Sequence, residues 1–420
     1  MPRVTLGVCG GIAAYKAIEI CRRLVDAGVH VMPVVTADAH HFVGDTTFSA
    51  LASEPVRDAL FDEGGISPEV QAAIEADAEA DAVVAATKAQ VIPHTYLGQT
   101  SDLVLVAPAT AKLLGKYAAG ISDDLLTATL LATRAPVVVA PAMHTEMWEH
   151  PAVQANVRTL RDRGVHVIEP ESGLLAGGDV GTGRLADPAT IVAEVQRILG
   201  PGDLAGQRVL VTAGGTREAI DPVRFIGNRS SGKMGYALAA EAQRRGATTT
   251  LVTTQGRPAA PGVEVVRCET AQEMHDLVLE RFPVTDVVVM AAAVADFRPK
   301  VVAGEKIKKR DGAPDVVLEP TPDILAALGA AKAQQILVGF AAETTAVVEH
   351  ARAKLEAKRV DLMVANDVSE PDAGFEVDTN RVILIQSSGI TEQLPLLPKT
   401  EVASRILDNV VGIIMQRGNS

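Results

Sequence analysis

The sequence predicts an α/β protein built from two doubly wound, parallel-sheet domains of the Rossmann-like kind. Three observations predict it. Short β-branched apolar runs alternate with helix-like stretches through both halves of the chain, which is the βαβ rhythm. Glycine-rich strand-to-helix turns occur twice, in "VTLGVCGGIAAYKA" (residues 4 to 17) and in "VLVTAGGTREAIDPVRFIGNRSSGKMG" (residues 209 to 235). The length, 420 residues, exceeds one ordinary core and suits two domains of about 200 residues each.

In chain order, the first half carries the strand-like runs "VTLGVC", "VHVMPVVT", "DLVLVAP", "APVVVAPA" and "VHVIEP". Residues 64 to 91 interrupt the rhythm with an Ala-rich acidic insertion, which Ser67 and Pro68 can start as a helix. A solvated surface helix is its ordinary reading, and a lid or subunit contact is the other. "DPATIVAEVQRIL", residues 187 to 199, reads as a closing helix with Asp187 as N-cap and Pro188 at the first position. "GPGDLAGQ", residues 200 to 207, has linker composition, which sets the expected domains at 1–199 and 208–420. The second half repeats the habit with "RVLVTAG", "TTTLVTT", "DVVVMAAA", "QILVGFAAE" and "DLMVAND". In such sheets ligands bind beyond the carboxyl ends of the strands, so function is sought there.

Composition excludes several classes. A net charge of -13 and only 3% aromatic residues disfavour nucleic acid and anionic membranes as partners, although a local basic pocket remains compatible. Three cysteines, Cys9, Cys21 and Cys268, are too few and odd in number for a disulfide framework and fit a reducing compartment. No apolar run reaches the roughly 18 residues that span a bilayer, and no signal-peptide pattern precedes the first strand. A cytoplasmic location is expected.

Neither glycine turn is an NAD fingerprint. The first reads Gly7, Gly10, Gly11, then Ala13 and Ala14, and the strands that follow the two turns end in Thr36 and in Thr253–Thr254 rather than in the acid that holds a ribose. "GNRSSGKM", residues 227 to 234, matches the G-x-x-x-x-G-K spacing, but Met234 replaces the hydroxyl that ligates magnesium. It also follows a long expected loop, so a P-loop is rejected. A tight turn alone explains such glycines, yet N–H groups exposed at a helix start favour a phosphate.

Larger motifs are more specific. "GGIAAYKA", "TADAHHFV", "APATAKLLGKYAAGISDDLL" and "PAMHTEMW" occur in that order at expected strand ends, and they resemble the flavin-dependent cysteine decarboxylases, a flavodoxin-like flavoprotein family. "VTAGGTREAIDPVRFIGNRSSGKMG", "AAAVADFRP", "EKIKK", "TPDIL", "GFAAET" and "AKLEAK" in the second half resemble the nucleotide-binding phosphopantothenate-cysteine ligases. The order of the halves, over about residues 4 to 410, is similar to the bacterial bifunctional decarboxylase and ligase family of coenzyme A biosynthesis.

For the first half, the resemblance implies FMN, with Gly10, Gly11 and Ala13 admitting the backbone close to it and Thr36, Ala107, Ala109, Thr110 and Ser122 at neighbouring strand ends. It implies that His94 acts near the oxidation of the cysteine moiety; on spacing alone, a helix-capping or core histidine is equally good. His144 stands where the family usually has an asparagine that contacts the substrate carboxylate. Gly177 stands where a flap cysteine usually donates a proton, which leaves the proton donor unassigned; Cys9 is a remote substitute, explained equally by packing.

For the second half, the resemblance implies CTP and Mg2+. The carboxylate of 4'-phosphopantothenate becomes an acyl-cytidylate with release of pyrophosphate, and cysteine then displaces CMP. Such chemistry needs cations around developing phosphate charge. Lys306 matches the catalytic lysine, with Lys308, Lys309 and Arg310 in the same basic run, otherwise an ordinary solvated loop. Asn228 would stabilise the acyl-cytidylate with Arg224 beside it, although Arg224 also suits an ion pair with Asp221. Met290, Ala291 and Ala292 would read the base through the main chain, and Phe340 would pack on it or fill core. Asp296 is placed for the ribose or the metal, and Pro322, Asp323, Ile324 and Leu325 form the remaining CTP loop. Lys354 and Lys358, four apart on an expected helix, share one face and would contact the triphosphate, a solvated pair being the plain alternative.

The implied reaction order is ligation to 4'-phosphopantothenoylcysteine, then decarboxylation to 4'-phosphopantetheine. Trimeric decarboxylase halves, dimeric ligase halves and a dodecamer satisfying both are implied too. Two other readings stand beside it: an active ligase with an impaired flavin-binding half, which Gly177 and His144 suggest, and a non-catalytic flavoprotein scaffold.

Overall fold

The computed structural model describes residues 1–60, 92–308, 315–343, 347–367 and 376–418. The insertion at 64–91, and Lys309 and Arg310, lie outside the described residues. The chain forms two compact units, Met1–Leu199 and Gly200–Ser420.

In the first unit, β1 (Arg3–Val8), β2 (His30–Val35), β3 (Leu103–Ala109), β4 (Val137–Pro141) and β5 (His166–Val167) make one parallel sheet in the order β2-β1-β3-β4-β5. Every β3 residue is buried, with Leu103, Leu105 and Ala107 in the core on one face and Val104 and Val106 in the core on the other. Burial on both faces is why such strands read as unbroken apolar runs. The chain leaves β1 through the glycine turn into α1 (Ala14–Asp26), and β3 through Thr110 into α2 (Ala111–Ala119). Beyond β5, the antiparallel hairpin β6 (Glu171–Leu174) and β7 (Val180–Arg184) precedes α3 (Pro188–Leu199), whose N-cap Asp187 accepts from Ala189 N through Oδ1 at 2.8 Å.

The segment expected as a linker is packed. Leu204 is fully buried in the core of the second unit and its N–H donates to Arg245 O. The second unit's sheet runs β12-β11-β8-β13-β16-β17-β19-β20. Its parallel strands are β8 (Arg208–Ala213), β11 (Thr248–Thr253), β12 (Glu264–Arg267), β13 (Val287–Met290), β16 (Ile336–Glu343) and β17 (Leu362–Asp367). After the short strand β18 (Thr379–Asn380), which pairs with β21 (Leu397–Pro398), antiparallel β19 (Ile383–Gln386) and β20 (Thr391–Gln393) close one edge. Two small hairpins lie between the sheet strands: β9 (Arg217–Ala219) with β10 (Phe225–Gly227), and β14 (Phe297–Pro299) with β15 (Leu318–Pro320). Helix α4 (Lys233–Arg244) follows β10 and packs on β8, where a Cβ on Gly235 would lie 2.5 Å from Ala213 Cβ; only glycine allows that approach. The closing helix α5 (Lys399–Gly418) buries Val402, Ile406, Leu407, Val410 and Ile413 against the same core.

Candidate functional sites

Both sheets reverse their strand order beside the first strand of the unit, between β1 and β3 and between β8 and β13. A crevice opens at such a switch point, and each unit has one.

The first cleft holds about 570 Å³, within the ordinary range of ligand sites. Gly10, Gly11, Ala13, Thr110 and His144 line it together with Ile12, Met143, Met147, Leu174 and Leu175, and with Lys16 and Arg184, which motif reading missed. Helix α1 starts there with Ala13 as N-cap and no side-chain cap; Ala14 N and Lys16 N donate to Gly11 O and Ala13 O instead, so no side chain occupies the space before its first turn. The two glycines differ. A Cβ on Gly10 would lie 2.4 Å from Asp38 Cβ, whereas on Gly11 it would meet only Thr110 Cγ2, at 3.9 Å. Packing requires the first glycine, while the second leaves space facing the cleft. A helix start without a side-chain cap, an open glycine and a mainly apolar wall fit a phosphorylated, planar cofactor.

Other expected residues lie elsewhere. Ala107 and Ala109 are buried in β3, Thr36 donates through Oγ1 to Val8 O at 3.2 Å, and Ser122 is exposed in a loop; none of them lines the cleft. His94, near the start of the helix Pro93–Thr100, is not among the lining residues either, and its buried Nδ1 has no hydrogen-bond partner among the described residues. Cys9 packs in the core, where burial pushes its thiol up to about 12, so it supplies no ready proton. His144 bonds Glu146 through Nδ1 and lies 3.3 Å from Asp179 Oδ2 through Nε2. Glu146 first, then Asp179, hold its imidazolium above the usual histidine value.

The second cleft holds about 550 Å³. It brings together Asn228, Met290, Ala291, Ala292, Asp296, Pro322, Asp323, Ile324, Leu325, Phe340, Lys354 and Lys358. Motif reading missed Ser230, Lys233, Thr321, Asn366, Asn380 and Lys399. The "GNRSSGKM" segment does run from strand β10 into α4, so its dismissal as following a mere loop is corrected; Gly232, at φ +73°, is the uncapped N-cap, and Met234 is in the core. Lys233 reaches Asp378 (2.6 Å) and Glu376 O (2.7 Å). Lys399 is buried beneath, donates to Val377 O at 2.5 Å, and is held below the usual lysine value by burial and by Lys233. Four lysines face two aspartates in this lining, an electropositive spot in an acidic chain.

Asn228 donates through Nδ2 to Val294 O (2.9 Å) and Ala293 O (3.4 Å). Asp323 caps the helix Ile324–Ala331 through Ala326 N (3.0 Å) and pairs with Lys358 (2.9 Å), so its carboxyl lies below its ordinary value although burial pushes the other way. Phe340 both lines the cleft and packs on the core. Arg224 and Lys306 do not line it. Arg224 pairs with buried Asp221 at 3.5 Å and donates to Ile307 O at 3.1 Å, while Asp221 also accepts from Ile307 N at 3.2 Å. The ion-pair reading of Arg224 therefore describes its contacts, and the pair anchors the strand of chain that carries exposed Lys306.

Two switch-point clefts, one mainly apolar and one rimmed by lysines, give each doubly wound unit one candidate ligand site. Comparison with known proteins identifies the family of each unit. The family described as Flavoprotein matches residues 1–200, and the DNA/pantothenate metabolism flavoprotein C-terminal domain matches residues 204–413. The coenzyme A biosynthesis bifunctional protein CoaBC of Mycobacterium tuberculosis strain H37Rv is 49% identical over 97% of this chain and 96% of its own. A crystal structure of the C-terminal domain of a CoaBC protein is 42% identical over 51% of this chain and 99% of that one, with a TM-score of 0.45. The FMN-dependent cysteine decarboxylase SpaF is 32% identical over 44% of this chain and 90% of that one, with a TM-score of 0.35. The chain belongs to the CoaBC family of bifunctional coenzyme A biosynthesis proteins. It is a flavoprotein decarboxylase fused to a ligase. Among the described residues no helix is long and apolar enough to cross a membrane.

Proposed function

We propose that the second cleft joins cysteine to 4'-phosphopantothenate at the expense of CTP, and that the first decarboxylates the resulting 4'-phosphopantothenoylcysteine with FMN. The observation that carries the assignment is the contrast in lining at two equivalent helix starts: at α1 a mainly apolar wall that also carries Lys16, Lys112 and Arg184, at α4 four lysines around exposed main chain.

In the first cleft the N–H groups at the start of α1 would hold the FMN phosphate, Gly11 would admit the ring, and the apolar wall would exclude water. FMN, when bound, supplies the electron sink without which a carboxylate on an ordinary carbon does not leave. His144 donates to the substrate carboxylate, and His94 moves a proton. In the second cleft, main-chain groups at Met290–Ala292 read the base and Phe340 packs beside it. Lys354 and Lys358 hold the triphosphate, with Lys233 and Lys399 added to them. Asp296, together with phosphate oxygens, suits Mg2+, which binds through one or two carboxylates and substrate phosphates. Asn228 hydrogen-bonds the acyl-cytidylate, and Lys306 neutralises the charge that develops as pyrophosphate leaves. Location in the cytoplasm, and trimers of the first half combined with dimers of the second, belong to the same proposal.

Incubating the purified protein with 4'-phosphopantothenate, cysteine and CTP, while following pyrophosphate and carbon dioxide separately, tests it. Both products are expected. Pyrophosphate alone overturns the decarboxylase assignment of the first cleft in favour of an active ligase with an impaired flavin half, and the absence of both products overturns the whole assignment.

A further inference from the structure

Decarboxylation replaces a carbon–carboxylate bond by a carbon–hydrogen bond, so the reaction takes up one proton at the carbon that CO2 leaves. Position 177, at the hairpin that overhangs the first cleft, is glycine and has no proton to give. Cys9 is sealed in the core. Lys112 in the lining is tied to Asp38 at 2.6 Å, Lys16 is turned to Leu185 O at 3.3 Å, and an arginine such as Arg184 does not give up a proton.

We infer that His144, oriented by Asp179, is the acid that returns this proton, occupying the place where a side chain at position 177 would otherwise stand. A Cβ built on Gly177 would lie 3.1 Å from His144 Nε2 and 3.5 Å from Asp179 Oδ2. The imidazole thus fills the space that glycine vacates. Asp179 Oδ2 lies 3.3 Å from the same nitrogen, and Glu146 takes Nδ1. The loop that carries the imidazole is clasped to the hairpin. Met143 N donates to Gly183 O at 2.9 Å, and a Cβ on Gly181 or Gly183 would lie 2.2 Å from Thr145 Oγ1 or from Met143 O respectively. The turn at the tip closes through Leu175 N to Asp179 O (2.8 Å) and Gly178 N to Leu175 O (3.0 Å), which holds the backbone of Asp179 beside His144.

In the step itself the electron pair left on the α-carbon by departing CO2 becomes a C–H bond to the proton of Nε2, and the imidazolium becomes neutral imidazole. Water restores the proton afterwards. The proton transfer carries no net redox change; the electron pair removed before CO2 leaves is returned by the flavin of the established activity. His144 is therefore a catalytic residue and Asp179 a positioning residue.

The inference rests on the decarboxylase cleft as assigned above, and single-turnover experiments on the full-length flavin-loaded enzyme with 4'-phosphopantothenoylcysteine separate the two. In His144→Asn, whose amide can still donate to the carboxylate, carbon dioxide is released once per flavin, up to about tenfold more slowly than in the parent. Colour return then slows by about 100-fold or more, and the product is the ene-thiol, two hydrogens lighter than the thiol by mass spectrometry. Adding Gly177→Cys to His144→Asn restores turnover. Asp179→Asn slows colour return by about tenfold and moves its pH profile to lower pH, because a carboxylate that favours the imidazolium is gone. A full-mass product with unslowed colour return in His144→Asn overturns the inference, as does a block before carbon dioxide is released with the flavin still oxidised. Absence of carbon dioxide from the parent protein instead overturns the cleft assignment. The flavin spectrum and melting curve of each variant report its folding.

Discussion

The cleft of the first unit is walled by Ile12, Ala13, Met143, Met147, Leu174 and Leu175, while that of the second is rimmed by Lys233, Lys354, Lys358 and Lys399 around the main chain of residues 290–295. The backbone beneath them is the same: a parallel sheet, a switch point beside its first strand, and a helix that starts without a side-chain cap. An uncapped helix start attracts an anion in either unit. What differs is the surround, which suits a planar apolar ring in one case and stacked phosphate charge in the other. The sheet edges differ too, since β19 and β20 run antiparallel and give the second unit a wider sheet with no counterpart in the first.

The widest separation between the halves is expected from the residues that act at each reacting centre. His94→Asn should cut carbon dioxide release by about 10²–10⁴-fold with flavin colour retained. Lys306→Gln should cut pyrophosphate release by roughly 10²–10³-fold and leave decarboxylation of supplied 4'-phosphopantothenoylcysteine intact. Parallel assays of both products check this. Loss of both activities from either substitution breaks the comparison, because the two clefts would then be one functional site. Neither residue lines the cleft of a single chain, so the same assays, run against oligomer size, show whether assembly completes the sites.

Next in size is the lysine rim. Lys233→Gln and Lys354→Gln should each raise the KM for CTP by about 10- to 100-fold, the range of one charge-assisted hydrogen bond, with carbon dioxide release unchanged. Steady-state kinetics at two salt concentrations sharpen the contrast. The second half should weaken more steeply than the first as salt rises, because screening acts on the ionic contacts and the first cleft adds a mainly apolar wall to its few charges.

Smaller effects distinguish the two glycines of the first turn. Gly10→Ala forces a Cβ to within 2.4 Å of Asp38 and should cost about 1–3 kcal/mol of stability in the first unit. Gly11→Ala has room in the protein, so the flavin-free melt should move by no more than about 0.5 kcal/mol. Flavin affinity should nevertheless fall by about tenfold, ~1.4 kcal/mol. Thermal melts with and without FMN read both. Equal loss of stability in the two variants would mean that packing, not a ligand, explains Gly11.

Much of this architecture was legible because buried parallel strands leave a strong trace: each of the ten quoted apolar runs coincides with a strand, from β1 at Arg3–Val8 to β17 at Leu362–Asp367. The hairpins β6–β7, β9–β10 and β14–β15 left none. They are three to five residues long and largely exposed, so their pairing depends on the sheet they flank rather than on their own periodicity. The glycine turns and Lys354 and Lys358 were legible from motif and helical spacing. Lys233 was hidden inside a rejected motif, and Lys399 is a lone lysine that reaches the cleft only because α5 begins there. For Arg224 the sequence left two readings open, and the contact with buried Asp221 three residues away is the one the described residues display.

The smallest expected effect concerns that claim. Burial raises the Asp221 carboxyl, but N–H groups of Val223, Arg224 and Ile307, together with the Arg224 guanidinium, outweigh it and hold it below the ordinary aspartate value. A depressed carboxylate contributes stability that is fully present above the unfolded value of about 3.9 and is lost as pH falls through the lower folded value. Amide hydrogen exchange at Val223, Arg224 and Ile307 should therefore stay protected at neutral pH and lose protection below about pH 4. Asp221→Asn should flatten that acid limb and weaken protection at neutral pH, since the amide oxygen replaces only one of the two accepting oxygens and the NH2 group cannot accept from Ile307 N. Because Ile307 is the neighbour of Lys306, pyrophosphate release should also slow, by no more than about fivefold, a modest share of one net hydrogen bond. No counterpart is expected in carbon dioxide release, since the pair lies wholly within the second unit. An unchanged acid limb in Asp221→Asn would mean that the carboxylate does not hold the Lys306 segment, and the position of that lysine would then depend on contacts made only when CTP is bound.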